Sequence, residues 1–179
     1  MEHLIILIIL LLIAGLFFTV TKWKGGLYMT FSQHAATNRW SKVFYALLFL
    51  ITLPMLMLFF ADWFVPIKHL PNAFLWFAAI AIVFQILCTW FPEEGGKKTI
   101  IHRILTGISG IAILPLVLII AASPHFSMIV RSIAWVGLFI MMIFLGIALM
   151  HQKGFRYALL LQIGYYTIFL IVILTTTYL

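Results

Sequence analysis

The chain has 179 residues, of which 65% are hydrophobic and 8% are charged, and its mean hydropathy is +1.22. These values exclude an ordinary soluble domain, in which about 25% of residues are charged. The formal charge of +7 does not indicate nucleic-acid binding, because the basic residues stand singly or in pairs in short loops between apolar runs. Lipid headgroups are the expected counter-charge, and the single cysteine, Cys88, excludes an intramolecular disulfide.

Six apolar runs are each long enough to cross a hydrocarbon core of about 30 Å, which takes about 20 residues. Uniformly apolar runs of this length favour helices over the alternating strands of a barrel. The sequence therefore predicts an all-α integral membrane protein, with residues 1–179 forming a single transmembrane domain that is a six-transmembrane-helix bundle. The expected helices are approximately 4–20, 43–65, 73–91, 100–122, 128–150 and 155–178.

The first run, LIILIILLLIAGLFFTV, has no basic segment before it and no small-x-small site after it. We therefore interpret it as a helix rather than a cleaved signal peptide. Loop one, which follows, has about 22 residues and is long for a compact bundle. We expect it to contain a short helix or a re-entrant piece lying on the bilayer, with Leu27, Tyr28, Phe31 and Ala35 directed toward the hydrocarbon.

The fourth run carries a polar stripe. His102, Thr106 and Ser109 have the spacing i, i+4, i+7 and share one helical face. We expect this face to point into the bundle, since polar groups are costly in lipid. Gly107 and Gly110 lie beside the stripe and allow a neighbouring helix to approach closely.

The basic residues predict an orientation. Nine Lys and Arg residues lie in or beside loops one, three and five, and only Lys68 and Arg131 lie on the other side. Because cytoplasmic loops carry an excess of Lys and Arg, this count places the odd loops in the cytoplasm and both termini outside.

The same topology gathers polar residues on one face of the membrane. Loop one supplies the sequence TFSQHAATNRW, loop three supplies FPEEGGKKTIIHR, and loop five supplies HQKGFR. The residues expected to share this face are Ser32, Gln33, His34, Asn38, Arg39, Glu93, Glu94, Lys97, Lys98, His102, Arg103, His151 and Gln152.

Several interpretations of this polar face remain open. The simplest is that its residues are solvated, meet lipid headgroups and cap helices, with Glu93 and Glu94 at the positive N-terminal end of the fourth helix. A metal site could draw on His34, Glu93 or Glu94, His102 and His151, and would activate water against a lipid ester or amide. No HxxxH, HExxH or CxxC spacing supports it, so we predict no metal, and any other cofactor is left open.

Two further chemistries have weaker signals. Ser32 near His34 suggests a nucleophile and a base, but no orienting acid accompanies them. A carrier would need polar groups inside the runs. The polar residues found there are Gln85, Thr89, Gln162, Tyr165 and Tyr166, with no Asp, Glu, Lys or Arg at depth.

The order of features resembles a six-span bacterial family known as domain of unknown function 998. The resemblance covers nearly the whole chain and rests on Ser32 in loop one and on Phe91, Pro92 and His102 around loop three. It implies a six-helix fold and a bacterial inner membrane, and the family's similarity to eukaryotic six-span proteins linked to autophagy and lipid-anchor remodelling implies lipid handling. Those eukaryotic proteins have cytoplasmic termini, opposite to the charge count, so the orientation stays open.

The sequence thus predicts a polar pocket that binds a lipid headgroup or a small anionic ligand on the face of loops one, three and five. We expect Arg103 and Lys97 to attract phosphate, His102 to donate a hydrogen bond, and Glu93 to pair with Arg103 or act as a base. Alternatives are a membrane-embedded lipid hydrolase and a non-catalytic accessory subunit, so enzymatic activity is left open. Expected partners are membrane lipids and either a second copy or another membrane protein. The predicted ligand-binding residues are Ser32, His34, Asn38, Glu93, His102 and Arg103.

Overall fold

The computed structural model describes residues 2–23, 26, 28–93, 96–150 and 157–179. Within these ranges the regular structure is helical throughout, with no strand, and six helices are long and apolar enough to span a membrane. The prediction of an all-α bundle with six transmembrane helices is confirmed. The helices are α1 (Glu2–Lys22), α2 (Phe31–Ala35), α3 (Arg39–Ile67), α4 (Ala73–Trp90), α5 (Gly96–Ala122), α6 (Met128–Met150) and α7 (Ala158–Tyr178).

Two of the helices begin earlier than their apolar runs. Helix α3 starts at Arg39 because the Asn38 side chain accepts a hydrogen bond from the Ser41 N–H, while the Ser41 hydroxyl accepts one from the Asn38 N–H. This capping box satisfies two backbone donors that would otherwise be unpaired. Helix α5 starts at Gly96, which has a φ of +57° that glycine adopts readily.

The expected short helix in loop one exists as α2. Phe31 and Ala35, which were expected to point toward the hydrocarbon, are instead buried within the protein; Tyr28 is exposed, and Leu27 lies outside the described residues. Because α2 packs against α1 and α3, the side of α2 that carries Phe31 and Ala35 faces the bundle.

Successive membrane helices pack beside one another, in the order α1, α3, α4, α5, α6 and α7. Helix α7 also meets α5 and α1, so the row curves back toward its start. At the end of the bundle away from α2, the Tyr178 hydroxyl donates to the Glu2 carbonyl over 3.2 Å. Lys68 is at this end too, where partial burial lowers its pKa and the Glu2 carboxylate partly offsets the effect.

Candidate functional site

Helix α2 is fastened across the loop-three end of the bundle. Thr30 caps it in a capping box with Gln33. The Phe31 N–H donates to the Gln162 side-chain carbonyl of α7 over 3.0 Å. The Glu93 N–H donates to the Ser32 hydroxyl over 3.1 Å. These bonds tie loop one to loop three and to α7 at a single place.

Glu93 and Arg103 form the charged part of this junction. The Arg103 guanidinium donates from Nε and Nη2 to Glu93 Oε1, at 2.8 and 2.7 Å. The Thr30 hydroxyl donates to the other carboxylate oxygen over 3.2 Å. The Glu93 side chain is only 6% exposed and that of Arg103 is 33% exposed, so the pair is largely removed from water and neutral as a unit.

His102 lies beneath the ion pair, buried against α4. Its Nδ1 is 3.2 Å from the Cys88 carbonyl, which can only accept, so Nδ1 carries the proton. In the neutral ring Nε2 is then an acceptor for the Thr106 hydroxyl at 3.3 Å. The Thr106 oxygen is in turn 3.3 Å from the Cys88 thiol, which can donate to it. The histidine is therefore held in one tautomer by a closed set of bonds.

A second polar cluster continues deeper between α4, α5 and α7. The Ser109 hydroxyl donates to the Ala81 carbonyl over 2.9 Å. The Tyr166 hydroxyl donates to the Gln85 side-chain carbonyl over 3.3 Å. Ser109 is 1% exposed, so the stripe predicted on the fourth run does point into the bundle.

Two cavities meet at His102. The loop-side pocket, of about 200 Å³, lies between α2, α5, α6 and α7 and includes Glu93 and Arg103 in its lining. The central cavity, of about 450 Å³, runs between α1, α3, α4, α5 and α7 and is mostly apolar. Four residues belong to both linings: His102, Thr106, Gln162 and Tyr166. We call these four the shared wall.

Four of the six predicted ligand-binding residues come together here. Ser32 and His102 line the central cavity, and Glu93, Arg103 and again His102 line the loop-side pocket. Of the two roles left open for Glu93, the structure places it as the partner of Arg103.

The other two predicted residues have different surroundings. His34 lines neither cavity; its Nδ1 is 3.0 Å from the Trp23 carbonyl and its fully buried Nε2 has no hydrogen-bond partner among the described residues. Asn38 caps α3 and is exposed. Lys97, expected to attract phosphate, is exposed and lines neither cavity. Three other residues expected on this face, Glu94, His151 and Gln152, lie outside the described residues.

Within residues 2–23, 26, 28–93, 96–150 and 157–179, no three His, Cys, Asp or Glu side chains are close enough to hold a metal ion. The functional residues that the sequence did not single out as ligands are Thr30, Gln85, Gln162 and Tyr166. Three of these were visible as polar residues within apolar runs, which is the signal that could have identified them.

No family model, curated protein or solved structure matches the chain. The resemblance to domain of unknown function 998 therefore stays a prediction. The candidate site is defined by its own geometry: a fixed histidine lies between a small pocket, whose lining includes an ion pair, and a larger, mostly apolar cavity.

Proposed function

We propose that this multi-pass membrane protein resides in a bacterial cell membrane, belongs with the family it resembles, and binds the polar headgroup of a membrane lipid in the loop-side pocket. The observation that carries the proposal is the shared wall. A pocket lined by Thr30, Glu93 and Arg103 meets an apolar cavity at four hydrogen-bonding side chains. That succession of polar and apolar lining matches an amphiphile.

A lipid headgroup is favoured over a small anion by the electrostatics. Both Arg103 donors that point into the junction are taken by Glu93, and the pair has no net charge. A free anion would have to displace a buried carboxylate, which would leave that carboxylate uncompensated. A headgroup that offers hydroxyl, amide or ester groups needs no such displacement.

The hydrolase alternative loses support from the same contacts. A hydrolase built on these residues requires His102 and Glu93 to lie within hydrogen-bond reach of one another. The two ring nitrogens of His102 are instead directed to Cys88 and Thr106, and the two carboxylate oxygens to Arg103 and Thr30. The histidine and the carboxylate are thus each committed to other partners.

If the protein were an accessory subunit, changes at Gly107 or Gly110 should break its association with another protein. A Cβ atom at Gly110 would lie 3.3 Å from Leu145 Cδ1, and one at Gly107 would lie 3.9 Å from Leu149 Cδ2. Both glycines therefore face α6 of the same chain, and their small size is used for packing inside the bundle.

Native mass spectrometry of the protein purified in mild detergent tests the proposal. We expect the wild type to retain a lipid of defined mass, and Thr106→Val, which keeps the side-chain shape but removes a hydroxyl from the shared wall, to lose most of it. His102→Ala should lose it entirely. The matched control is His3→Ala, since His3 is an exposed histidine at the far end of the bundle. A bare wild-type polypeptide, or a lipid retained equally by His102→Ala, would overturn the proposal.

A further inference from the structure

The central cavity opens sideways between α1 and α7. Some of its lining residues are also exposed on the outer surface of the bundle: Ile13 and Phe17 on α1, and Ile163, Thr167 and Ile171 on α7. On each helix these residues follow i, i+4 spacing, so they form two parallel edges. Since both helices are long enough to span the membrane, the opening faces the hydrocarbon and not the water.

The cavity is long enough for a lipid chain. Along α5 its lining extends from His102 to Leu116, which is about 21 Å at about 1.5 Å per residue. One lipid chain spans half of a hydrocarbon core of about 30 Å, or about 15 Å. The volume of about 450 Å³ lies in the range of about 300–1,000 Å³ that is usual for small-molecule sites.

The cavity is closed by polar groups at one end only. Helix α2 covers that end with Phe31 and the Ser32 hydroxyl, above His102 and the hydrogen-bonded pair Gln85 and Tyr166. Among the described residues that line the cavity, none is Asp, Glu, Lys or Arg. A charged group at this end would be desolvated without a counter-ion, whereas hydroxyl or amide groups could bond to the side chains present.

We infer that the central cavity is a binding site for a single-chain lipid with an uncharged, hydrogen-bonding head, such as a monoacylglycerol, which enters from the bilayer between α1 and α7. The chain lies between Ile13 and Ile163 at the opening and Leu116 at depth. The head lies at the shared wall and extends into the loop-side pocket. The inference rests on the proposed function for the head and adds the class of lipid and its route of entry.

Selectivity separates this site from a gap filled by any bilayer lipid. An apolar gap open to hydrocarbon is filled by whichever chain is nearby, because leaving it empty forfeits dispersion contacts. Such filling would not depend on the head. A cavity of about 450 Å³ that is closed by uncharged polar groups should instead favour a single-chain lipid over two-chain phospholipids and ionised fatty acids.

A photoactivatable monoacylglycerol with a diazirine in its chain tests the inference on the full-length protein in detergent. We expect saturable labelling at one probe per chain, on peptides of α1 and α7. Competition should be strong with unlabelled monoacylglycerol, and weak with oleate at pH 8 or with phosphatidylglycerol. Equal competition by the two-chain phospholipid would overturn the inference.

Variants at the opening provide the structural control. Ile13→Trp and Ile163→Trp place a larger side chain at each edge and should weaken the apparent affinity about tenfold, equivalent to about 1.4 kcal/mol. Leu10→Trp and Leu160→Trp are matched controls and should bind as the wild type does. Leu10 is 58% exposed against 55% for Ile13, Leu160 is 48% exposed against 41% for Ile163, and neither control lines the cavity.

The two proposals can fail separately. If native lipid is lost in His102→Ala but labelling is unchanged by both opening variants, headgroup binding stands and the entry route is wrong. If the wild type neither retains a lipid nor takes up the probe, both are wrong. Unchanged labelling in Ile13→Trp and Ile163→Trp, with both proteins monodisperse, would overturn this inference and leave the proposed function standing.

Discussion

Removing Arg103 alone should destabilise the protein more than removing both charges of the pair that it forms with Glu93. In Arg103→Gln the Glu93 carboxylate, which is only 6% exposed, loses two charge-assisted hydrogen bonds and keeps the one from Thr30. Removing one partner of a buried pair costs about 3–5 kcal/mol. Since Arg103 is about one-third exposed, we expect the lower end of that range, about 3 kcal/mol.

The companion variants define the coupling between the two side chains. Glu93→Gln should cost about 2 kcal/mol, because a neutral amide still accepts from Arg103 while the better-solvated guanidinium loses its counter-charge. The double variant leaves no buried charge and should cost about 2 kcal/mol rather than the sum of about 5 kcal/mol. The expected coupling is therefore about 3 kcal/mol.

Equilibrium unfolding by sodium dodecyl sulfate in mixed micelles at pH 7 measures all four proteins of this cycle. Lys98→Gln is a control for loss of one positive charge at this end of the bundle, on an exposed side chain. If the two single variants add to give the double variant, the pair is not coupled and the account of the junction is wrong. If Arg103→Gln matches the wild type, the carboxylate is not buried as described.

Three further changes test the packing that holds the site. Asn38→Ala removes the α3 cap and should lower the free energy of unfolding by about 1 kcal/mol without changing lipid retention, as measured by the same unfolding assay and native mass spectrometry. Tyr165→Phe deletes a buried hydrogen bond to a backbone carbonyl at 2.6 Å and should cost about 0.6–1 kcal/mol in that assay. Gly164→Ala places a Cβ 2.4 Å from Phe144 Cε2 and should lower the unfolding midpoint, whereas Gly146→Ala meets no atom within 4 Å and should not.

The membrane helices could be predicted because the hydrocarbon imposes their length, and backbone groups in lipid must bond within the helix. Two of their starts, by contrast, could not be predicted from hydropathy. Helix α3 begins four residues before its apolar run because Asn38 and Ser41 cap it, and α5 begins at Gly96 within the polar loop. Local hydrogen bonding, which hydropathy does not measure, sets the start of α3.

Half of the site followed from topology. Loops one and three emerge on one face, so Ser32, Glu93, His102 and Arg103 could be grouped before any contact was known. Gln162 was visible as a polar residue within an apolar run, but the sequence does not indicate which loop meets the face of α7 that carries it. That face is fixed only when Gln162 accepts the Phe31 N–H at the start of α2.

His34 shows that two residues close together in the sequence need not share a site. It is two residues from Ser32, which suggested that the two could act together. Two residues along a helix correspond to about 200°, so their side chains leave α2 in nearly opposite directions. Ser32 therefore reaches the central cavity while His34 is directed to the Trp23 carbonyl next to α1.

The hydrogen bonds of the shared wall favour recognition over proton transfer. A general base needs an acceptor nitrogen that is free to take a proton from a substrate. In His102 the Nδ1 N–H donates to the Cys88 carbonyl. Nε2 accepts a hydrogen bond from the Thr106 hydroxyl over 3.3 Å, which is long but satisfies both groups. A ligand hydroxyl can insert between these two groups, donating to Nε2 and accepting from the Thr106 hydroxyl, so the number of hydrogen bonds does not fall. Protonating Nε2 instead would create a buried imidazolium whose neighbouring carboxylate, Glu93, is already paired with Arg103.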